Sequence, residues 1–318
     1  MVDTTQGTAS QSTISCYTVR VCANKLSLSC RALHSLDQLL YTCTRTKEEE
    51  GSVMPLAKLN GVNIGYQVEG QGEPLVMIMG FSGRRSGWIR QIPFFKKYYR
   101  VITFDNRGVG KSAKPPGPYS TRMMADDTLG LMDLLGIEKA HIMGVSMGGM
   151  IAQKLAINYP HRVMKLVLAC TYASQDETSG DTLEHAKFLR LTPEEQVSAI
   201  VGLAFDKPLY RFIFGLLARV QIKLVGSSGT VGIAGQSEAC RKHNTLDTLP
   251  MITAPTLVIV GTADRIINPV SSEVIAGKIP DARLVRVEGG SHCFSFEMKN
   301  EFNREVLNFL KSDAPGIS

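Results

Sequence analysis

Three residues, in the order serine, aspartate, histidine, define the chemistry open to this sequence. Ser146 stands in Gly144-Val145-Ser146-Met147-Gly148, where the apolar run "AHIM" gives way to the helical pattern "MIAQKLAINYP". Gly-x-Ser-x-Gly at a strand-to-helix junction is the pattern of a nucleophile elbow. The turn is tight, strains the serine backbone and needs small neighbours so that strand and helix can approach. The hydroxyl then emerges at a helix N-terminus, beside backbone N–H groups with no intrahelical acceptor. The alternative is a turn serine with no chemistry, for which that flanking pattern is not required.

A serine hydroxyl needs a base, and the base needs an acid to orient it. Of the six histidines, His34 lies in an unpatterned first segment, His141 inside a strand and His161 after a helix end. His185 and His243 fall in a helical stretch. His292, in "EGGSHCFSFE", occupies a Gly-rich loop after the last expected strand, where catalytic groups collect in open α/β sheets. The acid should lie between Ser146 and His292. Asp264, in "VGTADRIINP", follows one strand and Asp176 follows another; loop context favours Asp264, although a plain turn aspartate is common in such loops. An oxyanion hole would take one backbone donor from Met147 and a second from Phe81 in "GFSG", unless those glycines only make a turn.

The elements around these residues read as alternating strands and helices. "AKLNGVNIGYQVEG" forms two strands about an Asn60-Gly61 hairpin turn. Short apolar runs at 74–80, 99–105, 140–144, 163–170, 255–261 and 282–289 have the character of buried parallel strands. Helical patterns fall at 84–97, 120–135, 147–159, 269–278 and 297–311, so a mostly parallel sheet flanked by helices is expected. The 172–250 interval shows no core strand. Thr192-Pro193-Glu194-Glu195 opens a helix as a capping box, and apolar residues from Leu209 to Val220 recur at helical spacing. Trp88, Phe81, Leu209, Phe212 and Phe294 are each as readily core as pocket lining.

Composition narrows the class. The 318 residues are 44% hydrophobic and 20% charged, with net charge +6, which suits a globular chain. No basic stripe interleaved with aromatics points to nucleic acid. The apolar stretch Pro208 to Val225 is broken by Arg211, Arg219 and Lys223, too polar for a membrane span. The seven cysteines show no CxxC or His/Cys metal spacing, so no metal site and a reduced, cytoplasmic setting are expected. Residues 1–53 carry four of those cysteines, little periodicity and no signal peptide. They read either as a disordered tail or as an upstream segment, because Lys47-Glu48-Glu49-Glu50-Gly51 is encoded by purine-rich codons like a bacterial ribosome-binding motif a short way before Met54. The first domain boundary is therefore set at 53/54, with a core at 54–171 and 251–318 and an inserted helical cap at 172–250.

Taken together, "MGFSG" (79–83), "FDNRGVGKS" (104–112), "GVSMGG" (144–149), "PTLVIVGTADRIINP" (255–269) and "GGSHCFSFE" (289–297) resemble the α/β-hydrolase superfamily over residues 56–312. The nearest flavour is the branch of 3-oxoadipate enol-lactonases, carboxylesterases and cofactor-free haloperoxidases. That resemblance implies an eight-stranded, mostly parallel sheet, a helical cap and no cofactor. It carries over Ser146 as nucleophile, Asp264 as acid, His292 as base, and Phe81 and Met147 as oxyanion donors. One departure is Met79-Gly80, where many members have His-Gly. A serine nucleophile suits acyl transfer, unlike the aspartate of dehalogenases and epoxide hydrolases on this fold. The expected activity is hydrolysis of a small apolar ester or lactone through an acyl-enzyme. Cleavage of C–C bonds in ring-fission products and ligand binding by a receptor of this fold are the alternatives. A small-molecule substrate is the expected partner, without nucleic acid or membrane, and a homodimer is left open.

Overall fold

The computed structural model describes residues 54–175, 191–225 and 230–312. Met54–Ser318 forms one compact unit. Its eight strands are β1 (Leu56–Leu59), β2 (Val62–Glu69), β3 (Pro74–Ile78), β4 (Arg100–Phe104), β5 (Ala140–Val145), β6 (Val163–Ala169), β7 (Thr256–Gly261) and β8 (Ala282–Val287). They form one sheet in the order β1-β2-β4-β3-β5-β6-β7-β8. The first two strands pair antiparallel and β2 meets β4 antiparallel; every other pairing is parallel. Asn60 (φ 48°) and Gly61 (φ 78°) both adopt the left-handed backbone that a two-residue hairpin turn demands, with Leu59 opposite Val62.

The strand runs are continuously apolar because both faces of the sheet are covered. Every residue of β5 and of β7 is buried, whereas the edge strand β8 is mostly half-exposed. Alternate residues of β3 feed opposite cores, as a period of two requires. Val76 and Ile78 join one with α2 (Thr121–Leu134), α3 (Met147–Asn158) and α7 (Val270–Lys278). Leu75 and Met77 join the other with α1 (Ile92–Phe95) and α9 (Lys299–Lys311). The N-cap of α2 is Ser120, whose Oγ accepts from Met123 N at 3.0 Å.

The continuous helix expected at 84–97 is instead a 3₁₀ turn, Arg85–Trp88, followed by the single-turn α1. Pro93 lacks an N–H and so fits only at a helix start. Gly87 lies beneath Met79, whose Cε would stand 2.2 Å from a Cβ there. The last helical pattern is likewise divided, into a short turn α8 (Phe294–Glu297) and α9.

Between β6 and β7 lie α4 (Pro193–Ala204), α5 (Pro208–Val225) and α6 (Thr230–Arg241). Among the described residues of this segment the only β pairing is an isolated bridge between Ser174 and Asn244. Thr192 and Glu195 form the reciprocal capping box at the start of α4. Helix α6 approaches the loop after β4 at backbone distance: a Cβ on Gly232 would sit 2.0 Å from the Gly108 carbonyl oxygen. Among the described residues no helix is long and apolar enough to cross a membrane.

Candidate active site

The central strand β5 ends at Val145 and α3 begins at Met147, so Ser146 alone makes the turn. Its backbone is at φ 55°, ψ −122°, a left-handed φ that a non-glycine residue adopts only when its surroundings enforce it. The neighbours show what enforces it. A Cβ on Gly144 would lie 2.2 Å from the Gly148 carbonyl oxygen, and one on Gly148 would lie 2.1 Å from that of Ile78. Gly149 N donates to Ser146 O at 2.8 Å and closes the first turn. Ser146 N donates to Ala169 O at 2.8 Å, and Thr171 Oγ1 donates to Ser146 O at 2.9 Å.

The loop after β3 lies against this serine. A Cβ on Gly80 would come within 3.1 Å of Ser146 Cβ. Gly83 N donates to Gly80 O at 3.1 Å, closing a turn that contains Phe81 and Ser82, the latter at φ 56°. Met79 packs on the glycines of its own loop: a Cβ on Gly83 would lie 2.6 Å from its Cγ.

Asp264 and His292 meet across the loops after β7 and β8. His292 Nδ1 lies 2.8 Å from Asp264 Oδ2. An ionised carboxylate only accepts, so Nδ1 is the donor of this bond, which in a neutral ring leaves the lone pair on Nε2. The other oxygen, Oδ1, accepts from Ile266 N at 2.8 Å and Ile267 N at 3.0 Å. Three donors therefore orient a carboxylate whose side chain is fully buried. Two glycines allow the approach of the loops: a Cβ on Gly261 would sit 2.2 Å from the Gly290 carbonyl oxygen.

Cys170 links the pair to the elbow. It follows β6 at φ 47°, between Ala169 and Thr171, which both bond the Ser146 backbone. Its Sγ, a carboxylate oxygen of Asp264 and a ring nitrogen of His292 all lie within 4.8 Å of one another. Burial, and then the charge of Asp264, hold the Cys170 thiol well above its usual range. This is the only cluster of three metal-ligating side chains among the described residues, and its carboxylate is already occupied by three hydrogen-bond donors. Burial first, then Glu297 and Asp264, push Cys293 up to about 12. Cys170, Cys240 and Cys293 are free thiols.

The remaining candidates lie elsewhere. His243 is buried against Thr121, Thr245 and Gln153. Burial, then the charge of Lys154, push it down to about 3. His141 is buried at the opposite end of β5, 3.3 Å from Glu73 Oε2, and lines a cavity of about 670 Å³ there with Lys97 and Lys311. His161 is exposed in a 3₁₀ turn. Asp176, His34 and His185 lie outside the described residues. Trp88 and Phe294 are core, at 1% and 0% exposed, whereas Phe212 is 70% exposed.

Sequence reasoning missed several supporting residues. Asp105 Oδ1 accepts from Arg85 N at 2.7 Å and Oδ2 from Lys111 N at 2.8 Å. Arg107 and Asp127 form a buried two-bond ion pair, each contact 2.6 Å. Glu297 accepts from Asp206 N (3.2 Å), Lys207 N (2.9 Å) and Ser291 Oγ, tying the α4–α5 connection to the His292 loop. Asp105, Arg107 and Glu297 all stand inside motifs legible in the chain, at 104–112 and 289–297, but no local pattern names the partners they bond.

A family model described as the alpha/beta hydrolase fold matches residues 73–298. A protein of Azorhizobium caulinodans whose name proposes a carbamate hydrolase is 29% identical over 80% of this chain and 98% of its own length. The enol-lactonase from Burkholderia xenovorans LB400 superposes with a TM-score of 0.73 at 27% identity, covering 81% of this chain and all of that one. A meta-cleavage product hydrolase from Pseudomonas fluorescens IP01 superposes with a TM-score of 0.70 at 27% identity, over 80% of this chain and 97% of that one.

Proposed function

From the premise that the chain belongs to the α/β-hydrolase family, we propose that it is a serine hydrolase cleaving a small apolar ester or lactone through an acyl-enzyme. The observation that carries this reading is the strained Ser146, at φ 55°, bonded through its backbone to Ala169 and Thr171, which flank the Cys170 that lies within 4.8 Å of the Asp264–His292 pair. His292 Nε2 takes the Ser146 proton as Oγ attacks the carbonyl carbon. The negative charge that develops on the substrate oxygen is met by the backbone N–H groups of Met147 and Phe81. Protonated His292, held by Asp264, gives its proton to the leaving oxygen. It then takes a proton from the water that attacks the acyl-enzyme, and Ser146 is restored. The likeness to the enol-lactonase supports a carbonyl–oxygen bond as the target. In this reading 172–250 is the cap that shapes the acyl pocket.

The test is hydrolysis of p-nitrophenyl butyrate together with labelling by a fluorophosphonate probe. Wild type should hydrolyse and label; Ser146→Ala should do neither. An unlabelled wild type, or a Ser146→Ala variant with full activity, overturns the reading. A second reading, hydrolysis of a C–C bond in a ring-fission dienone, is supported by the likeness to the meta-cleavage product hydrolase. Bleaching of a coloured dienone by wild type, without ester hydrolysis, would select it.

A further inference from the structure

Gln236 lies on α6, far from the elbow in sequence, and its side chain is fully buried, with 0% of the residue exposed. Both ends of its amide are used. Oε1 accepts from Ser82 N at 2.8 Å, across 154 residues, and Nε2 donates to Arg107 O at 2.8 Å. Ser82 immediately follows Phe81 and sits at φ 56°, so the amide clamps a strained turn whose first residue, Gly80, touches Ser146. The other end of the clamp is itself fixed, because Arg107 is held by its buried ion pair with Asp127. Helix α6 can bring Gln236 this deep because Gly232 and Gly235 lie against the Gly108 backbone and the Tyr119 ring.

We propose that Gln236 is a positioning residue of the oxyanion hole: through Ser82 it fixes where the Phe81 N–H points. The inference rests on the acyl-transfer reading above. A buried amide with both partners satisfied holds one geometry, and loss of either bond takes a partner from the backbone of Ser82 or of Arg107. Without the Gln236 bond the strained φ of Ser82 loses a side-chain restraint. Displacing a donor acts on the transition state, where the oxyanion forms, and little on the bound substrate.

The experiment compares wild type, Gln236→Met and Gln236→Glu, each normalised to sites titrated with a fluorophosphonate. Methionine keeps the length and loses both bonds. Glutamate keeps an acceptor for Ser82 N–H and loses the donor to Arg107. Gln236→Met should lower kcat on p-nitrophenyl butyrate by roughly tenfold, less than the 10²–10³-fold for removing a donor outright, with KM within about twofold. Inhibition by a phenylboronic acid, whose tetrahedral adduct places an oxygen in the hole, should weaken by the same factor. Gln236→Glu should fall between the two. Unchanged kcat per titrated site and unchanged boronate inhibition in Gln236→Met overturn the proposal, as does a loss confined to the number of titrated sites. Failure of wild type to label overturns the acyl-transfer reading itself, and this one with it.

Discussion

Asp264 holds His292 from below with one carboxylate oxygen and is itself held by two backbone amides on the other. The ring of His292, the base in the proposed reaction, is therefore oriented by a carboxylate that is itself held in place. Asp264→Asn keeps the shape but presents either an amide NH₂ or a weaker carbonyl to Nδ1, so the ring loses its preference for a bare Nε2. We expect kcat on p-nitrophenyl butyrate to fall by about 10⁴-fold with little change in KM. Stopped-flow and steady-state assays on the purified variant check this. Retention of activity would return the acid to Asp176.

Gly261 and Gly290 set the distance over which that pair meets. A Cβ on Gly261 would stand 2.2 Å from the Gly290 carbonyl oxygen and 2.5 Å from its carbon, both backbone atoms that cannot rotate away. Gly261→Ala should force the two loops apart, at a cost of about 1–3 kcal/mol in stability. Misplacement of the base should cost activity on the order of 10²-fold. Urea titration and kcat/KM, measured on the same preparation, separate the two effects. Gly277→Ala, at a helical position with nothing within 4 Å of the new Cβ, is the control and should leave activity unchanged.

What could be read from the chain, and what could not, divides by sequence distance. Asn60-Gly61, the continuous apolar strands and the elbow glycines are local signals, because a turn or a pleat is decided by adjacent residues. The meeting of Asp264 with His292 was legible because both stand in loops past strand ends, where the sheet brings loops together, as Ser146 does after β5. The break at Gly87 and Pro93 was written locally, yet the apolar spacing across 84–97 outweighed it. Gln236 and Glu297 act across 154 and about 90 residues; a glutamine on a helix looks like solvated surface until the partner loop is in place, and Glu297, although it closes the motif at 289–297, has partners that no neighbouring residue names. Trp88 and Phe212 show the same limit: both are large and apolar, and only packing tells that one is core and the other exposed.

His243 gives a pH dependence whose sign follows from its burial. In the folded chain its pKa is pushed down to about 3, whereas in the unfolded chain it titrates near 6.5. The unfolded state therefore binds a proton first as pH falls, and stability is lost between about pH 6.5 and pH 3 at up to about 1.4 kcal/mol per unit. His243→Gln keeps a donor and an acceptor among Thr121, Gln153 and Thr245 and cannot titrate. Its stability should be lower at pH 7 by about 1 kcal/mol, one hydrogen bond's worth, and flatter toward acid. Thermal melts at pH 7, 6, 5 and 4, here chosen at roughly even steps across the window, check whether the two curves converge.

The compact unit Met54–Ser318 contains every residue invoked in the chemistry. A chain of residues 54–318 should match the full chain in kcat/KM, since it keeps every one of those residues and the unit that positions them. Parallel purification and assay of both chains tests it. A large loss of activity or of melting temperature would show that residues 1–53 contribute.

Arg107 and Asp127 are 6% and 2% exposed at their side chains, so their mutual attraction is offset by the cost of burying both charges. Breaking the pair from one side is different from replacing it. Asp127→Asn leaves the Arg107 guanidinium buried without its counter-charge and should cost about 3–5 kcal/mol. It should also loosen the anchor that Gln236 uses at the Arg107 carbonyl. Arg107→Met combined with Asp127→Leu removes both charges while filling the space, and should recover most of that stability. The recovery should not extend fully to kcat if the Arg107 backbone shifts, because the clamp on Ser82 depends on where that carbonyl sits. Urea denaturation of the single and double variants, alongside boronate inhibition, distinguishes a stability effect from a displacement of the oxyanion loop.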